Sequence, residues 1–151
     1  MKMTELLAVR TEQEFAELAR QLTDKTQLWL LDANWWENPD REAPSWPEDY
    51  SLVATYEVST SSLDEAFRLG HQLEHLALSE PSKVHFFAPF GREEIGSGIC
   101  TLRIPRPPMA GDVFIQADGT TFLVDWVGFA KLSCSSTHWS AWNKVLRAAV
   151  H

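Results

Sequence analysis

Apolar residues recur along this chain with two different periods, and the changes of period divide it into elements. Thr11-Glu12-Gln13-Glu14 puts a hydroxyl and a carboxylate where a helix start leaves amides unpaired, and Phe15, Leu18, Ala19 and Leu22 follow at helical spacing. This predicts a helix over residues 12 to 22. Residues 27 to 36, QLWLLDANWW, are dense in apolar and aromatic side chains and read as a strand with one buried face. Residues 51 to 59 place Leu52, Ala54, Tyr56 and Val58 on alternate positions, a second strand paired with the first. Between the two lies ENPDREAPSWPEDY, residues 37 to 50, whose three prolines remove backbone donors and resist helix and sheet alike. A loop of this length in a compact domain often has a function of its own.

Ser62-Leu63-Asp64-Glu65 opens a second helix, running to about Ser79 and stopping before Pro81. At about 100° per residue, Leu63, Ala66, Leu69, Gly70, Leu73, Leu76 and Ala77 share one arc of it. Residues 83 to 90 and 99 to 104 read as strands with a glycine-marked turn region between them, and RIPRPP at 103 to 108 ends the second. Asp118-Gly119 offers the pair that a type I′ turn requires, and β-formers flank it on each side. A hairpin is expected over residues 112 to 128. Its turn chemistry resembles that of hairpins in many small β-barrels and implies no activity. Trp139, Trp142, Leu146 and Ala149 form an apolar stripe on a last helix over 136 to 150.

The predicted order is α-β-β-α-β-β-β-β-α. It indicates a single α+β domain spanning residues 1 to 151, with a mostly antiparallel sheet of five to six strands and three helices packed on one of its faces. The 151 residues, 44% of them hydrophobic and 11% aromatic, suffice for a core without metals or disulfides. MKMTELLAVR is interrupted by Glu5 and Arg10, and no later stretch approaches the roughly 18 apolar residues of a membrane span. The expectation is a cytoplasmic protein without membrane contact. Cys100 and Cys134 spell no CxxC or Cys/His cluster and are expected to be buried or half-buried free thiols, although a pair between them is open.

Charge sharpens the functional reading. The net charge of −8 divides into 6 Lys/Arg against 16 Asp/Glu in residues 1 to 80, and 7 against 5 in residues 81 to 151. An acidic first half repels phosphates, so direct nucleic-acid binding is disfavoured and a partner protein with a basic surface suits the chain better. Arg103, Arg106, Lys131, Lys144 and Arg147 supply basic groups in the second half, scattered over strand, loop and helix. The candidate protein-binding residues are Trp35, Trp36, Glu37, Asp40, Glu42, Trp46, Glu48, Asp49 and Tyr50, because aromatic anchors inside a charged rim are the make-up of protein interfaces. The competing use of the same tryptophans is to cap the sheet, with Trp35 and Trp36 on opposite faces of a strand end.

His71-x-x-Glu74-His75 resembles the inverted zinc-protease motif, in which two histidines one turn apart hold the metal and the glutamate acts as base. That chemistry needs both histidines to face a cleft and a third ligand to arrive from elsewhere. The helical arc instead turns His71 and His75 towards water, with Glu74 at its border. Cys134, His138 and Asp125 can be drawn as a triad, but no local signature supports one, and residues 91 to 98 lack the lysine and spacing of a phosphate loop. No cofactor is implied. The sequence favours a non-catalytic, acidic protein-binding domain, an inhibitor, immunity-type, anti-defence or adaptor protein. The alternatives are a small metal-dependent hydrolase using His71, Glu74 and His75, and a structural subunit of a larger assembly.

Overall fold

A computed structural model describes residues 1–40 and 43–132. The expected helix over 136 to 150, with Cys134 and His138, lies outside the described residues. The order of elements is α1 (Met3–Leu6), α2 (Glu12–Leu22), β1 (Thr26–Leu31), α3 (Ala33–Glu37), β2 (Tyr50–Tyr56), α4 (Leu63–Gly70), α5 (Leu73–Ser79) and a 3-10 turn (Pro81–Lys83). Six strands complete it: β3 (Val84–Phe86), β4 (Gly91–Gly96), β5 (Ile99–Arg103), β6 (Val113–Ile115), β7 (Thr121–Val124) and β8 (Phe129–Lys131). One antiparallel sheet runs β3-β2-β1-β6-β7-β8, while β4 and β5 form a separate hairpin. The fold is a single α+β domain with three main helices, α2, α4 and α5.

The sheet is covered on both faces, not on the one expected. Trp29 and Leu31 point from β1 towards α1 and α2, where they meet Leu6, Leu18 and Leu22. Leu28 and Leu30 point the other way, towards Ala66 of α4 and Leu73 and Leu76 of α5. Every residue of β1 is therefore buried, and its strand period separates two cores rather than a core from solvent. Burying a side chain such as Leu28 or Leu52 fully contributes roughly 2 kcal/mol. In β2 the register slips: Leu28 lies opposite Ala54 but Trp29 opposite Leu52. Val53 is the extra residue, a bulge whose carbonyl accepts a hydrogen bond from Phe87 N at 3.0 Å.

Several elements depart from the sequence-based expectation. The first strand ends at Leu31, and Trp35 and Trp36 sit on a helical turn rather than a strand end. The helix after Ser62 is two helices, because α4 stops at Gly70 and Gln72 leaves the helical region at φ −121°. A Cβ on Gly70 would stand 2.8 Å from Pro108 Cγ and 3.3 Å from Tyr56 Oη, so α4 ends where its backbone presses on the loop before β6. The glycine-marked region becomes β4, exposed along nearly its whole length. The hairpin turn is not type I′: positive φ falls on Gly119 and not on Asp118. Gly119 N donates to Gln116 O at 2.8 Å and Gln116 N to Thr120 O at 2.9 Å, a three-residue loop closed by a glycine bulge.

Candidate functional site

The end of the sheet where β1 finishes and β2 and β6 begin carries the long loop, and its geometry starts from Asp32. This residue precedes α3 but does not cap it with its side chain, because the carboxylate is taken elsewhere. It pairs with Lys2 Nζ and accepts from Ser51 Oγ at 2.6 Å, while Lys2 also donates to Glu48 O at 2.7 Å. The N-terminal segment is thereby fastened to the start of α3 and to the far end of the loop. Asp49 accepts from Ser45 N at 2.7 Å and donates its own N–H to Ser45 O at 2.9 Å, closing a turn inside the loop.

Trp46 lies edge-on to Trp29 and to Tyr50, each at 5.2 Å between ring centroids, and its indole N–H is buried without a partner among the described residues. Tyr50 is 2% exposed and donates its hydroxyl to Gly111 O at 2.7 Å. Burial, reinforced by Asp112 and Asp49, pushes its pKa up to about 12. Trp35 packs against the core and meets Trp36 edge to face at 5.0 Å. Trp36 itself is 40% exposed. Of the sequence-chosen residues, Trp35, Trp46, Asp49 and Tyr50 hold the loop to the fold, whereas Trp36, Glu37, Asp40 and Glu48 face solvent. Glu42 lies outside the described residues.

A buried ion pair backs this end. Asp112 is wholly buried and accepts two hydrogen bonds from the Arg106 guanidinium, at 2.6 and 2.7 Å, with further ones from Leu31 N at 2.9 Å and Met109 N at 2.8 Å. Arg106 also reaches Leu31 O at 3.2 Å, so loop 104–112 is welded to the end of β1. Arg106 is thus committed to the fold and not to a basic surface patch. Arg103 and Lys131 stay exposed on different strands, and Lys144 and Arg147 lie outside the described residues. A cleft of about 540 Å³ opens beside the pair, between apolar Leu30, Val53 and Phe90 and the polar Lys2, Asp32 and Arg106. Its charged groups are already partnered with one another or with backbone.

The chain matches no protein-family model, no curated protein and no solved structure.

The metal-site spelling does not survive as one helical face. His71 closes α4 and His75 lies in α5, beyond the break at Gln72, so the one-turn spacing that the zinc motif relies on is lost. Both rings are exposed as expected; His71 Nδ1 bonds Phe67 O at 2.9 Å and its ring lies 4.5 Å from that of Phe67. Among the described residues no group of three His, Cys, Asp or Glu is placed to hold a metal ion. Cys100 is an exposed free thiol on β5, not a buried one. No helix among the described residues is long and apolar enough to cross a membrane.

Residues that sequence reasoning passed over stand at the same end. Trp126 and Val127, within the expected hairpin 112 to 128, occupy the tip between β7 and β8 and are 89% and 94% exposed. Gly128, at φ +86°, was the available sign of a turn.

Proposed function

We propose that this protein is a non-catalytic, acidic protein-binding domain that masks or recruits a partner presenting a basic surface. The observation that carries the reading is the exposure of Trp36 beside Glu37, Asp40 and Glu48, on a helical turn and loop held by buried Tyr50 and half-buried Trp35 and Trp46. An aromatic anchor with charges around it gives affinity at its centre and association rate at its rim. Residues 45–50 of the loop are held by contacts of Lys2, Asp49, Trp46 and Tyr50, which lowers the entropy lost when a partner orders this part.

Quantitative capture from the host's lysate tests this, comparing the parent with Glu37→Lys/Asp40→Lys/Glu48→Lys. The reading requires that at least one specifically retained protein be lost from the reversed form and that its retention by the parent weaken with salt. Undiminished retention of every partner by the reversed form rejects it.

A further inference from the structure

We infer that the docking surface, resting on the reading just given, extends across the end of the sheet to the β7–β8 tip. Its occupant is then a protein surface that offers apolar pockets inside a rim of lysine and arginine. Among the described residues, the exposed tryptophans are Trp36 and Trp126. The topology puts both at one end. Gly111 N donates to Val124 O at 2.9 Å, Leu31 N to Asp112 Oδ1 at 2.9 Å and Asp32 N to Asp49 O at 2.8 Å, a row of contacts leading from the β7 tip to the root of α3. With neighbouring strands about 4.8 Å apart, the tip stands roughly 10–15 Å from α3, inside the footprint of one ordinary interface. Met109, 45% exposed, is on the turn that leads into β6, the strand between β1 and β7.

The tip is built, not frayed. Asp125 N donates to Gly128 O at 2.9 Å and Trp126 N donates to Asp125 Oδ1 at 2.8 Å, leaving Trp126 and Val127 as the two central residues of a tight turn. The positive φ of this turn falls on Gly128 and not on Trp126 or Val127, so the backbone sets no preference for Gly or Asn at these two positions. Among the described residues both side chains stand almost fully exposed, an aromatic and an aliphatic surface open to a partner. Trp is the residue most enriched among interface hot spots.

Charge selects the occupant. Glu37, Asp40, Glu48 and Asp125 are all exposed at this end, an arrangement complementary to a basic rim and repelled by anionic lipid headgroups.

The probe is an amphipathic helical peptide of leucine and lysine, titrated calorimetrically into the full chain, with leucine/glutamate and serine/lysine peptides as controls. The leucine/lysine peptide should bind, both controls should bind more weakly, and Trp126→Ser/Val127→Ser should weaken binding at least about tenfold, the scale of one anchoring aromatic. In NMR spectra the indole N–H signals of Trp36 and Trp126 should shift together on titration. Absence of peptide binding, unchanged affinity in the tip variant, or a Trp126 signal that stays in place would overturn the inference. So would sedimentation with phosphatidylcholine vesicles that the tip variant loses, because it assigns the tip to a membrane. If the loop reversal abolishes binding while the tip variant keeps it, the charged-loop reading stands and this extension fails. The opposite pattern supports the tip and removes the loop.

Discussion

Asp112 is the residue whose loss should be felt most. Its carboxylate is 1% exposed, and four donors from Arg106, Leu31 and Met109 converge on it. Asp112→Ala leaves the guanidinium without its partner and two backbone amides without acceptors, a loss expected to cost about 3–5 kcal/mol in denaturant unfolding. A loss under about 1 kcal/mol would mean that water replaces the carboxylate. Tyr50 and Tyr56 define a second prediction at this scale. Burial raises the pKa of both, and that of Tyr50 reaches about 12 against an ordinary 10. The folded state therefore prefers the neutral phenol; the stabilisation is complete below pH 10 and is lost as pH rises through the folded value. In Tyr50→Phe/Tyr56→Phe the fall of stability between pH 10 and 12 should be shallower than in the parent, as followed by thermal melting at stepped pH. His85 behaves in the opposite sense, since burial and then Lys25 lower its pKa. Its share of stability is complete above 6.5 and is lost on acidification, so His85→Phe should flatten the decline below that pH.

Individual elements show where hydrophobic pattern is informative and where it is silent. The helix over 12 to 22 has the bounds its pattern predicts, because a capping threonine and a clean apolar stripe agree: Thr11 Oγ1 accepts from Glu14 N at 3.2 Å. The arc from Leu63 to Ala77 is likewise buried along Ala66, Gly70, Leu73 and Leu76, yet the break within it was not legible. What ends α4 is the approach of Pro108, nearly forty positions away, and local pattern carries no trace of that contact. Gly70→Ala should consequently destabilise by about 1–3 kcal/mol, although alanine alone would favour a helix. Equal or greater stability of the variant would place the break in Gln72 instead. The strand β4 was hidden for another reason: with both faces exposed it shows no apolar alternation. Trp35 and Trp36 misled in the reverse direction, since apolar density alone does not distinguish a strand from a helical turn.

At the scale of the whole molecule, α+β architecture and antiparallel pairing were legible from the order of elements, but the two-sided cover of the sheet was not. The sign lay in β1, TQLWLL, whose near-continuous apolar run is the mark of a strand buried on both faces. The candidate site was half legible. Charge and tryptophan density pointed to loop 37–50, whereas the separation of its anchors from its exposed residues needed the packing of Trp46 and Tyr50 on Trp29 and Gly111. The contribution of Trp126 needed topology, because it lies about ninety residues from Trp36 and comes to the same end of the sheet only when β6 and β7 join β1. The most direct test of an acidic, aromatic docking end is calorimetric titration of a captured partner into the parent and into Glu37→Lys/Asp40→Lys/Glu48→Lys at stepped ionic strength. The account predicts at least about tenfold weaker binding by the reversed chain and a salt dependence that reversal abolishes. Equal affinity and equal salt dependence in the two chains would contradict it.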